Sequence, residues 1–205
     1  MVIANPNAPT GIALPLSAIA HIAKANPNRV VIVDEAYVDF GAESAVKLLP
    51  EYENILVVRT FSKSRQLAGA RLGFALGSEA LIGDLNLIRY SFHPYNVNSL
   101  TQAVGAAALE NPGYFEDCRQ KIMETRAWTK AQLESLGFRV LDGRANFLFA
   151  AAPRMGGAEY QKRLREKNIL IRYFDQPRIR DFVRITIGSR EQMEALIEAT
   201  KEILA

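Results

Sequence analysis

The chain has 205 residues, 49% hydrophobic and 23% charged, a composition typical of a globular protein with one large domain or two small ones. Its net charge of +3 comes from scattered lysines and arginines, and no apolar run reaches transmembrane length, which argues against nucleic-acid and membrane partners. The single cysteine, Cys118, excludes an internal disulfide and suits a reducing cytoplasm, and two distant histidines argue against a metal site.

The N-terminal part of the chain contains a short apolar stretch, a turn-forming segment, a predicted helix and a predicted strand. Met1–Ala4 is a short apolar stretch, followed by the turn-forming sequence NPNAPTG. That sequence is either a plain loop or a rigid turn that directs the Asn5 amide towards a ligand. The period of apolar residues predicts a helix over Leu14–Ala25, with Pro15 in its first turn, and the run Arg29–Val33 predicts a buried strand.

Two acidic residues follow that strand directly. Asp34 adjoins an apolar run, so a buried carboxylate there would need a partner. It is either a solvated loop charge or the partner of a cationic group on a ligand, and we favour the second interpretation. We expect Glu35 to be structural.

A strand followed by a lysine organises the next segment. The β-branched run Ile55–Val58 predicts a buried parallel strand, directly followed by Thr60, Ser62 and Lys63, and Arg71 opens the next strand. Ligands of open α/β sheets bind at the carboxyl ends of strands. An amine reacts with an aldehyde, and a hydroxyl with a guanidinium binds phosphate, so the set suits pyridoxal 5'-phosphate (PLP). The alternative is a surface loop with an ordinary solvated lysine.

The remaining chain predicts helices and then a small α+β unit. The predicted helices span 78–90, a segment capped by Asn98 or Ser99 that ends near 110, a connector over 113–136 ended by Gly137, 159–167, and 191–204 with a Ser189–Gln192 capping box. The predicted strands span 138–141, 146–151, 169–172 and 182–187. Arg172 and Arg184 fall within these strands, either as outward-facing side chains or as a pair of anion receptors.

Eight motifs occur in the order found in the fold-type I, class I/II PLP-dependent aminotransferases. NPNAPTG, VDEAYVDF, RTFSK and LAGARLGF resemble motifs of the whole superfamily. PYNVNSL and the arrangement around Arg172 resemble the histidinol-phosphate aminotransferase branch. The motifs ANFLF, ILIRYFDQPRI and RITIGSREQM extend the resemblance almost to the C-terminus.

The resemblance implies cofactor-binding roles for the matching residues. Lys63 resembles the catalytic lysine that forms a Schiff base with PLP, and Asp34 resembles the carboxylate that keeps the pyridine nitrogen protonated. Asn5 and Tyr37 resemble residues that hydrogen-bond the phenolic oxygen of the ring. The implied phosphate-binding residues are Thr60, Ser62 and Arg71.

The resemblance also implies the reaction and its partners. Arg184 resembles the arginine that binds the anionic end of the substrate, and Arg172 resembles one that binds the substrate phosphate. The implied reaction is transamination of histidinol phosphate with 2-oxoglutarate, giving glutamate, in histidine biosynthesis by a cytoplasmic homodimer. The alternatives are another class I/II aminotransferase, a threonine-phosphate decarboxylase, or a non-catalytic fragment of this fold.

The implied fold is α/β. Residues 1–112 would form part of a fold-type I large domain with a mostly parallel sheet, 113–136 a connecting helix, and 137–205 a small C-terminal α+β domain. Members of the family are longer and begin well before NPNAPTG. The resemblance therefore implies that the N-terminal part is lacking, so we expect exposed sheet edges, exposed apolar faces and self-association.

Overall fold

The computed structural model describes all 205 residues, which divide into two compact units. The N-terminal unit comprises Met1–Asn7 and Ala13–Cys118, and the C-terminal unit comprises Ala8–Ile12 and Arg119–Ala205. The division falls within one long helix, which spans Pro112–Ser135. The functional division into residues 1–112, 113–136 and 137–205 stays a prediction.

A four-stranded sheet forms the centre of the N-terminal unit. Its strands, in their spatial order, are β1 (Val2–Ala4), β2 (Val31–Asp34), β3 (Ile55–Thr60) and β4 (Gly73–Leu76). β1, β2 and β3 are parallel, and β4 is antiparallel to β3. The prediction of a mostly parallel sheet is therefore confirmed, and the parallel strands all end at one edge, which we call the carboxyl edge.

The helix α1 (Leu16–Ala25) packs on this sheet through residues spaced four apart. Ile19 and Ala23 lie on one face and are buried, because that spacing returns the helix to the same side. The rest of the buried cluster consists of Val31, Val33, Ala45, Ile55 and Val57. The helix begins two residues later than predicted because Pro15, with ψ of 153°, is extended and forms the N-cap.

Side-chain caps set the starts of the next helices. Ser78 Oγ accepts a hydrogen bond from Leu81 N at the start of α2 (Glu79–Phe92). Asn98 Oδ1 accepts one from Thr101 N at the start of α3 (Ser99–Glu110), so Asn98 is the cap. Short 3-10 turns occupy Val38–Phe40, Ala45–Leu48 and Ala68–Ala70. None of the helices combines the length and the apolar composition that a membrane-spanning segment requires.

The C-terminal unit packs three helices on an antiparallel sheet. Its strands, in their spatial order, are β5 (Arg139–Val140), β6 (Phe147–Ala151), β8 (Phe182–Thr186) and β7 (Arg172–Tyr173). Its helices are the rest of α4 (Pro112–Ser135), α5 (Gly157–Glu166) and α6 (Arg190–Leu204). The apolar core joins these layers, and the predicted Ser189–Gln192 capping box begins α6.

Two helices of this unit end in the same hydrogen-bonded motif. After α4, Gly137 N donates to Glu134 O and Phe138 N donates to Leu133 O. After α5, Asn168 N donates to Arg165 O and Ile169 N donates to Leu164 O. This second motif occupies residues 168 and 169, so β7 begins at Arg172 and not at 169 as predicted.

Candidate active site

Neighbouring strands bring the predicted cofactor-binding segments to the carboxyl edge. Asn5 follows β1, and its N–H donates to the carbonyl of Asp34, the last residue of β2, at 2.8 Å. Thr60 ends β3 and pairs with Gly73, the first residue of β4. Because β4 is antiparallel, Arg71 also lies at this edge. The same edge carries the other predicted residues, Tyr37, Ser62 and Lys63, in the turns after β2 and β3.

The Lys63 amine has no hydrogen-bonding or ion-pairing partner in the protein. Its Nζ lies 5.5 Å from the centroid of the Tyr37 ring, and the residue is partly buried. Backbone hydrogen bonds from Phe61 N to Leu72 O and from Leu67 N to Phe61 O, each 3.0 Å, close the loop that carries it. The amine is thus held in an ordered loop and remains available for a ligand.

The Asp34 and Asn5 side chains differ in how far their hydrogen-bonding capacity is met by the protein. Asp34 Oδ1 accepts one hydrogen bond from Ala36 N at 3.0 Å, and the carboxylate makes no ion pair. Asn5 is fully buried, and its Oδ1 accepts a hydrogen bond from Leu14 N at 2.7 Å. This bond makes the NPNAPTG segment a fixed turn, whereas the contact of Asn5 with a ligand stays a prediction.

Two of the three predicted phosphate-binding residues, Ser62 and Arg71, retain free donors, whereas the Thr60 hydroxyl donates to Leu72 O at 3.4 Å. Ser62 N donates to Thr60 Oγ1 at 3.0 Å, but the Ser62 hydroxyl has no protein partner. Arg71 is exposed, with a φ of +53°, and only its Nη1 is bonded, to Ala68 O at 3.2 Å. A hydroxyl and a guanidinium with open N–H groups suit an oxyanion. No cluster of His, Cys, Asp or Glu side chains is arranged to hold a metal ion.

The C-terminal unit has a separate pair of cations. Arg172 of β7 and Arg184 of β8 are directly paired in the strand register, although like charges in that position repel. Neither makes an ion pair, and the guanidinium groups lie 5.5 Å and 5.7 Å from the Phe174 ring. Arg184 Nε is buried without a hydrogen-bond partner. This geometry favours the anion-receptor interpretation over two outward-facing side chains.

The predicted site residues do not include the ion pair between Glu35 and Arg59, which lies beside the carboxyl edge. Glu35 is 2% exposed and pairs with Arg59, whose Nη2 lies 3.0 Å from Glu35 Oε2. The signal was present, because strand alternation places Arg59 on the same face as the buried residues Ile55 and Val57. A cation on a buried face needs an acid, and Glu35 adjoins the neighbouring strand.

Known proteins resemble the chain over nearly all its length. The family model described as aminotransferase class I and II matches residues 1–199. Histidinol-phosphate aminotransferase 2 of Dechloromonas aromatica (strain RCB) is 50% identical over 199 residues, which are 97% of this chain and 56% of that protein. The chain thus spans little more than half the length of this curated relative.

Solved structures share the fold. The histidinol-phosphate aminotransferase of Sinorhizobium meliloti in complex with pyridoxal-5'-phosphate has a TM-score of 0.86 at 24% identity, over 99% of this chain and 56% of that one. The L-threonine-O-3-phosphate decarboxylase of Porphyromonas gingivalis has a TM-score of 0.80 at 24% identity, over 99% and 63%. Because the family model matches nearly the whole of this chain, the chain belongs to the aminotransferase class I and II family.

Proposed function

We propose that this chain carries the catalytic lysine of a PLP-dependent aminotransferase. The observation that supports the proposal most strongly is the Lys63 amine, which lies at the carboxyl edge without a protein partner and 5.5 Å from the Tyr37 ring. Membership of the aminotransferase class I and II family supports it, as does the complex of the S. meliloti enzyme with PLP.

The residues at the carboxyl edge fit this cofactor chemically. Lys63 offers an amine to an aldehyde, Asp34 offers a carboxylate to a pyridinium, and Arg71 offers a guanidinium to a phosphate. PLP, when bound, joins to a primary amine and draws electrons from the carbon that carries the substrate's amino group. The further residues that we propose to bind it are Asn5, Tyr37, Thr60 and Ser62.

Two side chains would do most of the proton chemistry. Lys63 Nζ, once free, would take the proton from the substrate carbon and give it to the carbon on the other side of the amino nitrogen, acting as general base and then general acid. Asp34 keeps the ring nitrogen protonated, because a nearby carboxylate favours the cationic form of a base.

We propose histidinol phosphate and 2-oxoglutarate as the substrates, in histidine biosynthesis. Histidinol phosphate carries a phosphate and 2-oxoglutarate carries carboxylates. Arg172 and Arg184 support a site for both, because a guanidinium binds either group in a bidentate manner. The name of the D. aromatica relative supports histidinol phosphate in particular. We also propose that the protein acts as a homodimer in the cytoplasm, for which the single cysteine and the family resemblance are the support.

A threonine-phosphate decarboxylase is the second candidate. The P. gingivalis enzyme of that name shares the fold, and its named substrate also carries a phosphate. Lys63, Asp34 and Arg184 would serve either reaction, so these residues do not separate the two candidates. The substrate must be tested directly.

The cofactor proposal is tested by chemical trapping at Lys63. The purified protein is mixed with PLP, reduced with borohydride and digested, and the peptide that carries the pyridoxyl group is identified by mass spectrometry. We expect the label on Lys63, and we expect Lys63→Ala to lose it. Lys47→Ala, which alters an exposed lysine paired with Glu43, should label like the wild type. Wild-type labelling spread evenly over surface lysines would refute the proposal.

The substrate proposal is tested by a rate comparison with histidinol phosphate, threonine phosphate and phenylalanine, each supplied with 2-oxoglutarate. We expect the highest kcat/KM for histidinol phosphate with formation of glutamate. Release of carbon dioxide from threonine phosphate would instead identify the decarboxylase. Equal rates with phenylalanine and histidinol phosphate would contradict the assignment of a phosphate-bearing substrate.

A further inference from the structure

A network of four polar side chains, two of them buried and two partly buried, adjoins the carboxyl edge but takes no part in the chemistry proposed above. We call it the Glu35 network; its members are Glu35, Arg59, Asp39 and Ser64. Glu35 and Ser64 are only 2% and 3% exposed. Buried polar groups rely on protein partners in place of water, so the hydrogen bonds of such a network determine the local structure.

The network begins at a fully satisfied carboxylate. Glu35 Oε1 accepts a hydrogen bond from Ala45 N at 2.6 Å, and Oε2 accepts one from Ser44 Oγ at 2.8 Å and one from Arg59 Nε at 3.1 Å. Arg59 Nη2 also donates to Ser44 Oγ at 2.8 Å. The guanidinium makes two of these four hydrogen bonds, and they fix its orientation.

From this guanidinium the network reaches the loop that carries the lysine. Arg59 Nη1 lies 3.7 Å from Asp39 Oδ1, and Ser64 Oγ donates a short hydrogen bond to Asp39 Oδ2. Ser64 directly follows Lys63 in the chain. The ion pair between β2 and β3 is thus connected, through Asp39, to the backbone beside the lysine.

The other end of the network adjoins the aromatic neighbour of the lysine. Tyr37 lies in the turn between Glu35 and Asp39, so network members fix the chain on both sides of it. The Glu35 network therefore joins the turn that carries Tyr37 to the loop that carries Lys63. These two segments carry Lys63 Nζ and the Tyr37 ring, which lie 5.5 Å apart.

We propose that the Glu35 network holds the Lys63 amine in position beside Tyr37, with Asp39 and Ser64 as positioning residues. The consequence for catalysis rests on the proposed function, because only a reacting amine gains rate from a fixed geometry. Neither residue would touch the substrate. Their effect is transmitted through the backbone of Ser64 and the order of the loop.

The test compares hydrogen exchange of the loop in matched variants. Ser64→Ala removes the bond to Asp39, and we expect amides such as Gln66 N and Leu67 N to exchange at least about tenfold faster, because a bond to a charged group is lost. Asp39→Asn should show the same direction. Ser64→Thr keeps the hydroxyl, so its loop amides should exchange as slowly as in the wild type. The added methyl group has room, because Ser64 borders a cavity of about 270 Å³.

A control variant separates this effect from general destabilisation. Ser78→Ala removes a hydroxyl that caps α2 in the same unit, so it should lower stability without changing exchange in the Lys63 loop. Wild-type exchange rates in Ser64→Ala, or equal acceleration in Ser78→Ala, would overturn the proposal. Fast exchange in Ser64→Thr would also contradict the proposal, because it would show that the hydroxyl does not protect the loop amides.

The labelling rate of Lys63 links the loop to the site. With PLP and borohydride, we expect the rate of pyridoxyl labelling at Lys63 to fall about tenfold in Ser64→Ala and to recover in Ser64→Thr. An unchanged rate in Ser64→Ala would overturn the positioning role. If the wild type takes no label at Lys63, the proposed function fails, while the exchange comparison still decides whether the network orders the loop.

Discussion

Two buried polar side chains of the C-terminal unit differ in whether the fold supplies a hydrogen-bond partner. Tyr160 is fully buried, and its hydroxyl lies 2.7 Å from Thr200 Oγ1. Because Thr200 Oγ1 itself donates to Leu196 O at 2.7 Å, the tyrosine is the donor of the first bond. Arg184 is the contrast, since its buried Nε has no partner. A satisfied group of this kind stabilises the fold, whereas an unsatisfied one indicates a place for a ligand.

Tyr160 makes stability sensitive to alkaline pH. Burial raises the pKa of Tyr160 from 10.0 to about 12. Between these values the unfolded chain has lost a proton that the folded protein retains, so stability falls as the pH rises. We expect the wild type to lose about 1.4 kcal/mol from this group by pH 11. Tyr160→Phe should lose about 1 kcal/mol at neutral pH, and its stability should fall by about 1.4 kcal/mol less than that of the wild type by pH 11. Urea unfolding at pH 8 and pH 11 measures both.

Thr200→Val is the matched control for this prediction. It removes the same hydrogen bond but keeps the buried phenol, so it should be less stable than the wild type and still lose stability between pH 8 and pH 11. Parallel curves for the wild type and Tyr160→Phe would show that the phenol does not titrate with a raised pKa in the folded state.

Two helices of the C-terminal unit are each followed by a residue in the left-handed conformation. Gly137 after α4 has a φ of +86°, and Asn168 after α5 has a φ of +60°, in the same motif. Glycine adopts this left-handed conformation without the strain that a Cβ brings. We expect Asn168→Gly to stabilise the protein by about 0.5–1 kcal/mol, a rise in Tm of about 1–4 °C by calorimetry.

The opposite substitution at the matching helix end, glycine to asparagine at position 137, is the control. Gly137→Asn should destabilise the protein by a similar amount, because it introduces a Cβ where the fold has none. A lower Tm for Asn168→Gly would mean that the freedom glycine adds to the unfolded chain outweighs the relief of strain at this position.

Local patterns predicted the elements where the cause was local. The strands before Asp34 and Lys63 and the Gly137 stop depend on neighbours in the chain, and the sequence predicted them, although β2 begins two residues after Arg29 and β3 extends two residues beyond Val58. Of the two predicted caps, Asn98 is the one that the structure uses. β7 was misplaced because asparagine, unlike glycine, does not by itself indicate a left-handed cap. The Glu35 network joins residues 24 to 25 positions apart, so only the pairing of β2 with β3 and the turn at Asp39 bring them together.

The molecule as a whole exposes apolar surface in its N-terminal unit. α2 contains no buried residue, and Leu87 and Phe92 on it are 69% and 89% exposed. β1 and β4 each pair with only one strand, so both sides of the sheet end in open edges. Exposed apolar side chains and open edges both favour association between chains.

We therefore expect this chain to self-associate, with a sedimentation coefficient that rises with concentration. The double change Leu87→Glu and Phe92→Glu should shift the protein towards the monomer, because burying two carboxylates in an apolar contact would be unfavourable. Leu170→Glu makes the same kind of change at a residue that is 79% exposed in the C-terminal unit, and it should leave association unchanged. If Leu170→Glu dissociates the protein and the double variant does not, the contact lies outside α2. A wild type that stays monomeric at every concentration would mean that exposed apolar area on α2 is too small or too poorly matched to itself to hold two chains together.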